Sequence, residues 1–143
     1  MSARVDQFCD TLKTRLNATE EKVQLLKANL GKLPQQSEQA LQKCLAETRA
    51  KVEGEKKKVE KAQASLKARA EQKVGEIKEA IGQWKAKREV SKLHARADRA
   101  EQYAADAIFV ADMAVADAEE AIVDALIARM DAEKVDEPAV AAR

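Results

Sequence analysis

The sequence predicts an all-α protein: a long-helix coiled coil or helical bundle with two or three helices per chain, completed by oligomerisation. Three observations carry that expectation. Of 143 residues only 4 are glycine and 2 are proline, while 36% are charged and 3% aromatic, a balance of long helices rather than of a thick globular core. Apolar residues recur at seven-residue spacing near the start of the chain. Toward its end, alanine fills one heptad frame almost completely. The chain is expected to form a single elongated helical domain over residues 1–143.

The first helix is expected over about residues 3–32. Cys9, Leu16, Val23 and Leu30 form one seven-residue series, and Val5, Leu12, Thr19, Leu26 and Leu33 form the other. Together they make an a/d seam sustained over four repeats. Gly31 and Pro34 supply the stop, because proline cannot continue a helix and turns the preceding Leu33 away from helical geometry.

The second helix is expected over about 34–88, starting at Pro34, where a missing N–H costs nothing. Its apolar stripe runs through Leu41, Leu45, Val52, Val59, Ala62, Leu66, Ala70, Val74, Ile77, Ile81 and Trp84. The steps from 62 to 74 are all of four, which loosens a heptad supercoil locally. Trp84 closes the stripe as a buried anchor or a partner-binding hot spot. Between Lys85 and Glu89 the stripe lapses, and the next seam starts about one residue out of phase, so a turn near 85–92 and a continuous rod are both open.

The third helix is expected over about 91–134, continuous with the second if no turn intervenes, with a frayed tail at 136–143. One heptad frame places Ala97, Ala100, Ala104, Ala107, Ala111, Ala114, Ala118, Ala121, Ala125 and Ala128 on ten consecutive core positions. Small seam residues let helix axes approach closely, so this seam is expected to self-associate, at least as a dimer and antiparallel so that like charges do not align. Phe109, Met113, Val123, Ile127 and Met130 make a second apolar face on the opposite side. Two acidic lines separate the faces: Asp106, Asp117, Glu120, Asp124 and Asp131 in one, Glu101, Asp112 and Glu119 in the other.

Charge is distributed unevenly. Residues 1–33 carry six basic against four acidic side chains, residues 34–90 fourteen against nine, and residues 91–143 six against twelve. The basic second segment is therefore expected against the acidic third, within the chain or between copies. The run Lys56-Lys57-Lys58 suits phosphate, yet Glu53, Glu55, Glu60 and Glu71 interleave with the lysines and no aromatic residue stands among them to stack on bases, which argues against nucleic acid.

Chemistry-bearing residues are sparse. Cys9 and Cys44 are too few for a disulfide framework and read as small apolar fillers; a hairpin at 31–34 would hold them about 20 Å apart along its axis. With His94 as the only histidine, a zinc site of two histidines or a di-iron bundle cannot be assembled, and no metal or cofactor is expected. His94 and Tyr103 read as ordinary helix residues. No nucleophile with a base and no phosphate loop stands out, so a non-enzyme is expected. The start, MSARVDQFCDTLKTRL, has charges where a secretory signal has an apolar core, and no run of about 18 uncharged apolar residues occurs, so a cytoplasmic, non-transmembrane chain is expected.

These features point to a structural or interaction protein: a coiled-coil homo-oligomer acting as scaffold or tether through the alanine seam and charge-complementary helices, its partner itself or another helical protein. The alanine-rich amphipathic segments of the C-terminal third resemble in composition those of phasins, the helical proteins of polyester granules. That resemblance implies a second reading, binding to a lipid or storage-granule surface. Staggered contacts between long helices would give a third, a filament.

Overall fold

The computed structural model describes residues 3–72 and 74–135. Among the described residues there are four α-helices and no strand: α1 (Ala3–Lys32), α2 (Glu38–Glu71), α3 (Val74–Lys87) and α4 (Val90–Val135). The fold is all-α. The tail expected to fray at 136–143 and the side chain of Val74 lie outside the described residues.

The first helix occupies the span its heptads predict. Its end is made differently, since no described glycine adopts positive φ and Gly31 stays within the helix. A single turn of 3₁₀ helix, Leu33–Gln35, takes Pro34 into its first turn and carries the chain over. The second helix starts later than Pro34 because Ser37 caps it: the Ala40 N–H donates to Ser37 Oγ at 3.2 Å. A serine hydroxyl satisfies an otherwise orphaned donor, which an N1 proline alone does not do.

Over the span 34–88 the structure has two helices instead of one, α2 and α3, and this raises the count to four. The interruption follows Ala70, Glu71 and Gln72, which are all exposed, so the last residues of α2 bury no apolar side chain. Helices in proteins persist mainly by packing an apolar face, and here that support lapses. The ambiguity near 85–92 is resolved as a real turn. The Glu89 N–H donates to the Trp84 carbonyl at 2.8 Å and the Arg88 N–H to the Lys85 carbonyl at 3.2 Å. These two bonds form a Schellman closure, and Arg88 holds the left-handed position with φ 55°.

The chain packs as two compact units, and α2 and α4 lend residues to both. The first unit gathers α1, α2 as far as Lys56, and α4 from Asp112 onward. Its core is Leu33, Leu41, Leu45, Val123 and Ile127, with Cys44, Ile122, Leu126 and Met130 packed against them. Leu41 and Val123 are fully buried. Burying side chains of this size stabilises the fold by about 1.5–3 kcal/mol each. Glu38 meets Lys134, and Arg49 meets Glu120, so α2 and α4 run antiparallel. Lys22 meets Asp112 while Leu33 packs with Val123 and Ile127, so α1 runs parallel to α4. Thr48, buried among these residues, donates its hydroxyl to the Cys44 carbonyl at 2.9 Å and leaves no unmet hydrogen bond there.

The second unit, Lys57–Ala111, holds the end of α2, all of α3 and the first half of α4. Ala62 is buried in it. The Arg69 guanidinium lies over the Tyr103 ring at 5.0 Å. Lys58, Lys61, Ala62 and Ser65 share a groove with Gln102, Asp106 and Phe109, so α2 and α4 are antiparallel here too.

Two stability changes follow from this packing. Leu41→Ala should cost about 3 kcal/mol in urea unfolding, whereas Leu25→Ala on an exposed site should stay within about 0.5 kcal/mol. Arg88→Gly should raise stability by about 1 kcal/mol, because glycine takes the left-handed position without steric cost. A loss of stability for Arg88→Gly would contradict the closure described.

Candidate functional site

Helix α4 carries most of the residues singled out in the sequence, and the structure sorts them by size. Met113, Val123 and Ile127 of the second apolar face are buried together with Ala116, and Met130 packs against the core. Phe109 is half-buried in the second unit, beside the Ala62 groove. The bulky face is thus the inward one.

The alanine series divides. Ala97, Ala100 and Ala104 are half-buried in the second unit, but Ala107, Ala111, Ala114, Ala118, Ala121, Ala125 and Ala128 are all exposed. At about 100° per residue these seven point away from Ala116, Val123 and Ile127. They form no part of the core.

The acidic lines flank the buried face and hold the neighbouring helices in place. On one edge, Arg49 of α2 bridges Glu120 at 2.9 Å and Asp124 at 3.6 Å. On the other, Asp112 takes Lys22 of α1 at 2.6 Å and the Thr19 hydroxyl at 3.2 Å. The basic second segment therefore answers the acidic third at Arg49, while α1 supplies the other cation. A third pair has the opposite polarity: Lys134 of α4 donates to Glu38 of α2. Exposed pairs of this kind contribute at most about 1 kcal/mol each, so they set register and direction more than stability.

Glu38, Asp131 and Lys134 form one surface cluster. The hydrogen bond from Lys134, and then that from Asp131, holds the Glu38 carboxyl below its ordinary range. The hydrogen bond with Glu38 pushes Asp131 upward, because two adjacent carboxylates resist double ionisation. Lys134 is pushed upward by its hydrogen bond to Glu38. Among the described residues no group of three or more His, Cys, Asp and Glu side chains converges as a metal site.

On α1 the two heptad series also separate. Leu12, Thr19 and Leu26 are half-buried and Leu33 is buried, whereas Val5, Cys9, Leu16, Val23 and Leu30 are exposed. Leu16 and Leu25 are exposed to 53% and 63%. Both described cysteines are free thiols; Cys44 packs against the core, but Cys9 is exposed and fills nothing. Trp84 is half-buried, and with Arg69, Ile77, Arg96, Arg99 and Tyr103 it lines a cleft of about 270 Å³. Sequence reasoning passed over this cleft: the arginines stand apart along the chain, and only the turn at Arg88 brings α3 and α4 to one wall. The Ser37 cap was also missed in favour of Pro34, although a serine followed by an acid is a helix-start signature that could have found it.

No helix among the described residues is long and apolar enough to cross a membrane. No family model matches the chain, and neither curated proteins nor solved structures match it.

The cluster yields a signed pH prediction. Glu38 stabilises the fold at neutral pH, and this contribution is lost as pH falls through the carboxylate range. Asp131 acts oppositely: ionised it repels Glu38, and protonation relieves the repulsion. Asp131→Asn should raise the melting temperature slightly at neutral pH, with the gain vanishing below the carboxylate range. A destabilised Asp131→Asn at neutral pH would contradict this assignment.

Proposed function

We infer that the chain is a non-catalytic interaction protein that assembles with copies of itself through the apolar rows its own fold leaves outside. One observation carries this reading: three of the exposed large apolar residues, Leu16, Val23 and Leu30, recur at seven-residue spacing along α1. Cys9, Leu16, Val23 and Leu30 are exposed beside the half-buried row of Leu12, Thr19 and Leu26 on α1, and the alanines from Ala114 to Ala128 form an exposed row about 20 Å long on α4. Scattered exposed leucines need no explanation, whereas a heptad of them is the surface a second helix covers.

The thin core supports the same reading. Eight apolar residues are buried among the described residues of a 143-residue chain, and a core this small gains from assembly. An antiparallel pairing suits the α4 row, because it sets the acidic stretch of one copy away from that of the other. The role that follows is a scaffold or tether.

The exposed α1 row also favours a second reading, in which α1 lays its apolar side on a lipid or granule surface. The two separate experimentally. Sedimentation at micromolar concentration should show at least a dimer. Leu16→Lys with Val23→Lys, or Ala118→Arg, should weaken it by about tenfold or more, equivalent to ~1.4 kcal/mol, with helicity unchanged. A clean monomer whose helicity and sedimentation change on adding anionic vesicles would overturn assembly in favour of surface binding.

A further inference from the structure

The cleft in the second unit has a composition that the assembly reading does not use. Its walls come from the end of α2 (Arg69, Gln72), from α3 (Glu76, Ile77, Ala80, Trp84) and from α4 (Arg96, Arg99, Ala100, Tyr103). Three arginines and two aromatic residues thus line a cleft of about 270 Å³, close to the lower end of ligand-site volumes, roughly 300 Å³. We propose that this cleft binds a small molecule that joins a flat ring to a phosphate group, of the class of nucleoside monophosphates.

Each half of that ligand answers to residues of the cleft. Arginine presents its N–H donors as a planar fork that matches phosphate oxygens in pairs, which a lysine ammonium does not do. Arg69 is held by its position over the Tyr103 ring at 5.0 Å, an attraction that leaves the edge of the guanidinium for an anion. Arg96 and Arg99 stand on the same side of α4, three residues apart. Among the described residues lining it, Glu76 is the only carboxylate against three arginines, a formal +2 that complements a phosphate dianion. Trp84, Tyr103 and Ile77 are half-buried, so a ring entering between them covers apolar surface that water now meets. A bare phosphate would leave that surface open, and a bare ring would leave the three guanidinium groups unanswered.

Trp84 is the chain's only tryptophan and reports directly on the cleft. Titrating the full-length protein with AMP should change its fluorescence saturably, with heat in calorimetry at the same midpoint. Adenosine and inorganic phosphate should each bind at least about tenfold more weakly. Inorganic phosphate in excess should compete AMP away from the wild-type chain. Arg96→Gln with Arg99→Gln, its helicity checked by circular dichroism, should lower AMP affinity by about tenfold or more. Absence of both heat and a saturable fluorescence change at millimolar AMP would overturn the proposal. So would equal binding of adenosine, or binding of single-stranded DNA without binding of AMP. Self-association measured in the same samples reads the assembly surfaces separately, so failure of either reading leaves the other standing.

Discussion

In the first unit the controlling constraint is the burial of the bulky stripe of α4. Met113, Ala116, Val123 and Ile127 recur at steps of three, seven and four, which keeps them on one side of a 3.6-residue helix. Once that side faces Leu33, Leu41 and Leu45, the direction of each neighbour is set by which charges it brings to the edges. Arg49 and Lys22 reach carboxylates on opposite flanks of the same stripe, and that is possible only with α2 and α1 on opposite sides of it. The exposure of the alanine row is then a consequence, since it lies opposite the stripe.

Much of this was legible in the sequence, and the failures have physical causes. The all-α class and the span of α1 follow from composition and from heptads in which both series are apolar but for Thr19. The two faces of α4 and the acidic lines between them were also legible. Which face turns inward is settled by size: at roughly 25 cal/mol per Å² a valine or isoleucine gains far more from burial than an alanine does. Counting heptad positions weighs both alike. The cysteines show the same limit, for Cys9 and Cys44 both read as small apolar fillers, yet only Cys44 has a core to pack against. The turns were harder to read. Residues 70–72, Ala-Glu-Gln, are good helix formers, and the interruption after them reflects missing tertiary support. At Arg88 a left-handed residue closes α3 without the glycine that usually marks such a closure.

The charge pattern takes on a more specific meaning in the folded chain. A basic middle segment and an acidic end suggested broad complementarity, but the lysine run 56–58 is exposed and the pairing is done by individual residues. Part of the positive charge instead gathers as Arg69, Arg96 and Arg99 around an aromatic-lined cleft. On the proposed readings the exposed rows of α1 and α4 meet other helices, and the arginine-lined cleft takes a small anion. They draw on different residues.

The inward turn of the bulky face of α4 is the central claim, and the most direct test compares two alanines two positions apart. Ala116 is buried and Ala118 exposed, so a thiol costs more at 116, and circular dichroism first establishes that both variants keep the helicity of the parent chain. With Cys9 and Cys44 replaced by serine, Ala116→Cys and Ala118→Cys are labelled with a thiol reagent, at a dilution where sedimentation shows single chains. With the bulky face inward, labelling is rapid at 118 and slowed at 116 to the rate of local opening. Faster reaction at 116 than at 118 would place the alanine row inside and contradict the packing on which the whole account depends.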